Sequence, residues 1–433
     1  MTRRVLVLLW IVLGLSSAPA SAQSQLIVRD SLGLNGLQFS CLLLGCAVNE
    51  GIDGPLGQVF LITANGVVSE TQFLQALLAQ VGVVDAEPNL TLHVTGTLAA
   101  PSGLWDTTPV DYYGTTAWHG YVYQPAATLI RLQDAQNGFG VAGSGIVAVI
   151  DTGVDPTQPV LQRVLLRGYD FTRNQPQGSE LRDLDQPPGA GAAQPGQVNQ
   201  WSMAVMDQEG IDAVSQSPYA DFGHGTMVSG IVHLVAPTAA ILPLKAFRAD
   251  GTGYLSDVLR AVYYAAQHGA DVVNMSFDFP TFSEELKRAI DYAASRGVVA
   301  VASAGNDAEQ VVVYPAGLRH VMGVASTAND DTLSSFSNYG QPPVWVAAPG
   351  EGVVTTYPFG TYAAGWGTSF SAPLVAGTVA LLRDISAHIG PWSASWAVAH
   401  AQDVPCSDSG RACGYGRLDV YQAAAAWASV VAR

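Results

Sequence analysis

An α/β fold is predicted for most of this chain: three layers, with a mostly parallel sheet and helices on both faces, preceded by a small α+β unit. Short apolar runs bounded by glycine recur, first at 145–150, as expected of strands buried on both faces. Stretches of helical spacing fall between them, and that alternation implies crossover connections and a parallel sheet. The 433 residues, 48% hydrophobic and 12% charged, are enough for a large core with a smaller unit beside it.

Taken in order, residues 1–22 read as a secretory signal. Arg3 and Arg4 precede an apolar run over 5–15, and Ala20-Ser21-Ala22 offers a small-residue cleavage site before Gln23. The run is short for a bilayer span, which disfavours an uncleaved anchor, and no cysteine follows the site to take a lipid. The expected product is secreted or periplasmic, with no membrane anchor after signal removal. Residues 23–110 form the small unit. It has strands over 25–30 and 59–63 and a helix over 70–81 with Phe73, Leu74, Leu77 and Leu78 on one face, after which 83–89 leads into 90–94. Residues 95–120 are rich in Thr, Gly, Tyr and Trp without periodicity, and 111–120 is expected to be a linker. The large unit runs over 121–433. Its further strands are expected at 241–247, 271–276, 298–303, 321–326 and 344–348, and its helices end at Gly269 and Gly297. Within it, 173–219 is rich in Gln, Gly and Pro and reads as a surface insertion, which costs little closure entropy.

The formal net charge is −16, and 35 acidic against 19 basic residues disfavour nucleic acid, whose binding needs a basic patch. Cys41/Cys46 and Cys406/Cys413 lie in two local pairs without zinc-type spacing. After export, local disulfides are one of the three connectivities that four cysteines allow. No H-E-x-x-H arrangement occurs, so the commonest metalloprotease signature is missing.

Three distant segments carry chemistry: Ala148-Val149-Ile150-Asp151-Thr152-Gly153-Val154-Asp155, Phe222-Gly223-His224-Gly225-Thr226 and Gly367-Thr368-Ser369-Phe370-Ser371-Ala372-Pro373. A serine hydroxyl is inert at its own pKa and needs a base to take its proton. Imidazole does this near neutral pH, and a carboxylate fixes its tautomer and stabilises the imidazolium. Ser369 is therefore the candidate nucleophile, His224 the general base and Asp151 its orienter. Asp155 reads as a turn or capping residue. Apolar Leu374, Val375, Val379, Leu381 and Leu382 suggest a buried helix beginning near Ser369, with its positive dipole end at the reacting carbonyl.

In the order Asp, His, Ser, these motifs resemble those of subtilisin-like serine proteases, the subtilase family. The resemblance covers roughly 121–433, and Phe336-Ser337-Asn338-Tyr339-Gly340 and Gly414-Tyr415-Gly416-Arg417-Leu418-Asp419-Val420 match two further landmarks, read as structural. It implies a subtilisin-like fold and a secreted endopeptidase acting on protein or peptide substrates without a catalytic cofactor. It also leaves room for a structural calcium ion, although no contiguous ligand loop is visible; the 173–219 insertion itself reads as a solvated loop, a substrate contact or, through Asp183 and Asp185, a calcium site. Within Val301-Ala302-Ser303-Ala304-Gly305-Asn306-Asp307, Asn306 takes the oxyanion donor's place. Gly251, Gly253, Ser303, Ala304 and Gly305 fit the two edges that pair with substrate backbone. Ser276 fits as well, but the family usually continues with a hydrophobic residue and glycine, where this chain has Phe277-Asp278-Phe279-Pro280. Asp278 then narrows the specificity pocket, places a carboxylate near a basic substrate residue, or faces outward. Val83-Val84-Asp85-Ala86-Glu87-Pro88-Asn89 is similar to the end of subtilase propeptides. The N-terminal unit would then be a propeptide that assists folding and acts as an intramolecular inhibitor.

Rival readings lack their marks. A non-catalytic, protein-binding relative would miss a triad member or the oxyanion donor, and none is missing. Sedolisins use glutamate where His224 stands. An α/β-hydrolase esterase would carry G-x-S-x-G, which Ser371 breaks around Ser369.

Overall fold

The structure is a computed structural model that describes residues 24–64, 69–89, 91–92, 101–184, 203–206, 221–402, 404 and 413–433. The expected signal, residues 93–100, most of the 173–219 segment including Asp185, and Cys406 lie outside the described residues.

The N-terminal unit runs β1 (Gln25–Asp30), α1 (Gly33–Leu44), β2 (Cys46–Gly51), β3 (Val59–Ala64), α2 (Glu70–Leu78) and β4 (Val83–Pro88). Its four strands pair antiparallel in the order β2-β3-β1-β4. A capping box, Ser69 with Gln72, starts α2, and a Cys41–Cys46 disulfide ties the end of α1 to β2. Side chains alternate across a strand, and β1 uses both faces. Leu26 and Val28 pack with Leu37, Phe73 and Leu77 of the unit's own helices. Ile27, with Ile52, Val59 and Leu61, packs instead against helices of the large unit. A short strand β5 (Thr91–Leu92) follows.

The large unit opens with a hairpin of β6 (Pro109–Tyr112) and β7 (Thr115–Trp118), then short helices α3 (His119–Val122), α4 (Pro125–Leu129) and α5 (Leu132–Phe139). The expected linker at 111–120 is therefore packed structure. Tyr113 and Gly114 both have positive φ, as a two-residue hairpin turn of the primed type requires. The Tyr112 hydroxyl donates to Leu234 O at 2.5 Å, and Trp118 stacks on Tyr362 at 4.2 Å. Leu104, before the hairpin, is already in the same core. Tyr112 and Trp118 anchor the hairpin in the core, whereas Trp105 and Tyr113 are exposed.

The main sheet is built from β8 (Ile146–Asp151), β9 (Tyr169–Asp170), β10 (Gln175–Pro176), β12 (Ala240–Lys245), β14 (Val272–Met275), β15 (Val299–Ser303), β16 (Val321–Thr327) and β17 (Val346–Pro349). Apart from β10 they run parallel, in the order β10-β9-β12-β8-β14-β15-β16-β17. On one face Val147, Val149, Val272, Val299 and Val301 pack with α6 (His224–Val235) and α9 (Thr368–Ile385). On the other, Ala148, Ile150, Val273, Met275 and Ala300 pack with α7 (Leu255–Gln267) and α8 (Glu284–Ser295). These are the three layers expected, and the N-terminal sheet lies over the outer side of α7 and α8. A second antiparallel sheet holds β11 (Met203–Met206), β18 (Val353–Tyr357) and β19 (Thr361–Trp366) in the order β11-β19-β18. No described helix is long and apolar enough to cross a membrane.

Candidate active site

Asp151 ends β8 and His224 begins α6, so the parallel sheet delivers both to the carboxyl ends of its strands. The His224 Nδ1–H donates to Asp151 Oδ1 at 2.7 Å, and both side chains are almost fully buried. Asp151 Oδ1 also accepts the Thr152 N–H at 2.7 Å, which fixes the carboxylate to its own turn. The approach of strand end to helix start depends on glycine. A Cβ on Gly225 would run into the carbonyl oxygen of Gly153. Asp155 serves as a turn residue: Oδ1 accepts from Thr157 N–H and Oγ1–H at 2.7 Å, and Oδ2 from Phe359 N–H at 2.8 Å.

Ser369 lies in the first turn of α9, after Gly367 at φ 142°. Backbone N–H groups in that turn have no partner within the helix. Pro373, four residues on, has no N–H to give to the Ser369 carbonyl. Ser276 supplies the missing donor: its Oγ–H bonds Ser369 O at 2.8 Å, and the Ser369 hydroxyl donates back to Ser276 O at 3.1 Å. The His224 ring lies 5.6 Å from the ring of Phe370, the residue after Ser369.

Asn306 follows β15. Its Oδ1 accepts from Thr368 N–H at 2.8 Å and Thr368 Oγ1–H at 3.0 Å, which fixes the plane of the amide beside Ser369. Ser303 and Ala304 are buried at the end of β15, and Gly305 donates its N–H to Thr368 Oγ1 at 3.2 Å. On the other edge, Gly251 and Gly253 flank Thr252, and β13 (Gly253–Tyr254) pairs antiparallel with β5, Gly253 opposite Leu92. Phe277 is buried and its ring lies 4.8 Å from Phe247, joining the Ser276 loop to that edge. Asp278 does not face outward as one reading had it. It is buried, its Oδ1 has no hydrogen-bond partner, and burial, with Asp307 nearby, pushes its carboxyl well above the usual range. Asp221, also buried, is pushed up in the same direction by burial, with Asp151 and Asp250 adding to it.

Sequence reasoning missed Glu180, which lies in the segment read as an insertion and is fully buried. Its Oε2 accepts from Gly223 N–H at 2.8 Å and Thr152 Oγ1–H at 3.3 Å, and its Oε1 accepts from Thr226 Oγ1–H. Both threonine hydroxyls are themselves acceptors, Thr152 from Gly225 N–H at 2.9 Å and Thr226 from Asp155 N–H at 2.8 Å. Through these contacts Glu180 clamps the Asp151 turn to the start of the His224 helix. Burial, with Asp155 nearby, raises this carboxyl to about 8, while hydrogen bonds from Thr226 and Gly223 and nearby Lys245 oppose that. No local pattern announces such a residue in a Gln- and Pro-rich stretch.

The same segment answers the calcium expectation at Asp183. Its Oδ2 accepts from Lys245 Nζ at 2.7 Å and Ala249 N–H at 2.6 Å, and Arg173 Nη2 lies 2.5 Å from Oδ1. This carboxylate is already neutralised by two cations and does not suit a third. Among the described residues no group of three or more His, Cys, Asp or Glu side chains gathers as a metal site.

The sequence profile of the subtilase family (Peptidase_S8) matches residues 143–416. The thermophilic serine proteinase of Bacillus sp. (strain AK1) is 35% identical over 289 residues, which are 66% of this chain and 62% of that protein. The chain thus spans less than two thirds of that relative's length. Thermitase of Thermoactinomyces vulgaris is 33% identical over 251 residues, 55% of this chain and 75% of thermitase. In structure, the chain is similar to fervidolysin of Fervidobacterium pennivorans, described as a keratinolytic enzyme related to subtilisin. There the TM-score is 0.69 with 24% identity, over 94% of this chain and 61% of that one, a likeness of fold. With the profile spanning more than half of its length, and those motifs at the carboxyl ends of a parallel sheet, this chain belongs to the subtilase family.

Proposed function

We propose that this protein is an exported serine endopeptidase that hydrolyses peptide bonds through an acyl-enzyme, with Ser369 as nucleophile. The observation that carries the reading is the buried 2.7 Å bond between His224 and Asp151, with the imidazole against the residue that follows Ser369. Asp151 holds the proton on His224 Nδ1, so Nε2 is the basic nitrogen. Ser369 turns its hydroxyl from Ser276 O to Nε2 and attacks the carbonyl carbon as His224 takes the proton. The oxygen that becomes negative is met by the Asn306 amide nitrogen and the Ser369 backbone N–H in the first turn of α9. His224 then protonates the leaving amine, and the C–N bond breaks to leave an ester on Ser369. Water, deprotonated by His224, hydrolyses that ester and restores the hydroxyl.

The N-terminal unit acts as the propeptide, and residues 1–22 as the export signal. Pairing of β5 with Gly253 supports the first role, because it lays the chain leaving the unit along a substrate-binding edge. The hairpin at Pro109–Trp118 belongs to the large core, so the maturation cut falls before Leu104. Protein and peptide substrates enter where β5 leaves. The test is casein hydrolysis together with covalent labelling by a fluorophosphonate. Wild type digests casein and carries the label on Ser369, whereas Ser369→Ala does neither. Casein digestion by Ser369→Ala would sink the reading.

A further inference from the structure

We infer that Asp278 fills the pocket for the residue whose carbonyl is attacked, so that cleavage follows small, uncharged residues. This rests on Ser369 as nucleophile and Asn306 as oxyanion donor. With the carbonyl carbon at Ser369 Oγ and its oxygen toward Asn306, the side chain of that residue must fall between two segments. One is Ser276-Phe277-Asp278, which leaves β14, and the other is Ser303-Ala304-Gly305, which leaves β15. The strands are neighbours in register, Asn274 opposite Val301 and Met275 opposite Ala302, so the two segments form facing walls.

Asp278 spans the gap between those walls. Its Oδ2 lies 3.1 Å from the point where a Cβ on Gly305 would stand. The Gly305 wall cannot retreat. Its φ is +96°, its N–H is held by Thr368 Oγ1 at 3.2 Å, and its carbonyl accepts the Asn338 N–H at 2.9 Å. The opposite wall is equally fixed, since buried Phe279 exchanges backbone hydrogen bonds of 2.9 and 2.8 Å with Tyr314. A side chain entering from Ser369 therefore meets the Asp278 carboxyl and has no room for an aromatic ring.

A carboxylate at the foot of a pocket has a second use, as partner for a substrate Lys or Arg. The chain's own sequence speaks against it. From Asp30 to Ile130 there is no Lys or Arg, so neither precedes any bond in the stretch where the precursor's own cut falls. That stretch reads His93-Val94-Thr95-Gly96-Thr97-Leu98-Ala99-Ala100-Pro101-Ser102-Gly103, rich in small residues. The surroundings agree. No donor reaches Asp278 Oδ1, and burial beside Asp307 favours the neutral acid, which fills space without calling for a cation.

The experiment compares kcat/KM on succinyl-Ala-Ala-Pro-X-nitroanilides, with X as Ala, Phe or Arg, for the matured wild type, Asp278→Gly and Asp278→Asn. Wild type should favour Ala over Phe and Arg by at least about tenfold, the size that steric pocket discrimination reaches. Asp278→Gly should raise the rate on Phe by about tenfold or more. Asp278→Asn, of equal bulk, should keep the Ala preference. A wild-type preference for Arg that Asp278→Asn abolishes would make Asp278 a counter-ion and overturn the inference, as would a wild-type preference for Phe. Casein digestion with no order among the three peptides overturns the inference alone, and failure to cleave casein or any peptide overturns the proposed function with it.

Discussion

The two major sheets of this protein bury their faces by different means. The eight-stranded sheet is covered on both sides by helices of its own unit, and almost all of α6 and α9 is buried. The four-stranded N-terminal sheet covers one face with α1 and α2 and lends the other to α7 and α8 of the large unit. Its remaining surface is unusually apolar, with Phe39, Leu42, Leu43 and Val81 exposed. Around the shared apolar face the contact is polar. Arg29 pairs with Glu285 at 2.7 Å, Arg288 with Asp85 at 2.9 Å, Ser283 Oγ–H donates to Glu87 at 2.5 Å, and Ser256 N–H to Asn89 at 2.9 Å. The large unit owns a closed core, whereas the small one completes its core on its neighbour. Such an arrangement suits a segment that can be removed without unfolding what remains.

Substitutions in the large unit's site should break activity and leave that docking intact. His224→Ala is expected to lower kcat on casein-derived peptides by roughly 10⁴–10⁶-fold, as loss of one member disables the whole triad. Asn306→Ala should cost about 10²–10³-fold in kcat with KM nearly unchanged, the size known for losing such a donor in a subtilisin. Glu180→Gln sharpens the contrast, because it touches no substrate. Its amide turns an N–H₂ toward groups that are donors, so the clamp between Thr152 and Gly223 fails, costing about 2 kcal/mol of stability. A lowered Tm in calorimetry together with a reduced kcat at constant KM would confirm the clamp, and an unchanged Tm would refute it.

Arg29→Ala tests the other side of the comparison. Arg288 Nη1 also reaches Glu285, at 2.5 Å, so the buried carboxylate keeps one partner and the loss should be only about tenfold in docking. Hydrogen exchange of β1–β4 in full-length Ser369→Ala protein reads that loss, and a Tm drop in the large unit instead would contradict the division of cores. A pH dependence of the same docking is expected as well, no larger per unit of pH than the Arg29 effect. Burial against the large unit, with Glu285 and Asp85 nearby, raises the Glu87 carboxyl to about 7 from an ordinary 4.5, against the Ser283 hydrogen bond. The docked form therefore holds more protons between those values. Docking should weaken as pH rises through that window, by at most about tenfold per unit, and level off on either side. Exchange rates in β1–β4 that fall with pH, after correction for intrinsic chemistry, would reverse the sign and reject it.

What could be read from the sequence was local. Strands such as Ile146–Asp151 and Val272–Met275 lie in apolar runs with glycine nearby, and α7 and α8 show their buried faces at helical spacing. Asp151, His224, Ser369 and Asn306 sit in compact motifs, so each can be named as a candidate without the fold. What escaped depends on distant partners. Glu180 acquires meaning only when Thr152, Gly223 and Thr226 converge on it. Asp278 has three readings until Gly305 is seen beside it. The hairpin at Pro109–Trp118 is hidden in the sequence because its Tyr and Trp residues follow no period, and the contacts of Tyr112 with Leu234 and of Trp118 with Tyr362 are tertiary. Helix α1 carries apolar residues all round, with no polar face to mark its period.

The most direct measurement is intact-mass spectrometry of wild type and Ser369→Ala, incubated side by side as full-length proteins. Wild type should lose its N-terminal unit by a cut between β5 and Leu104, while Ser369→Ala stays whole. Shortening of Ser369→Ala at the wild-type rate and position would contradict the account, because the large unit would then not be the protease that removes its own clamp.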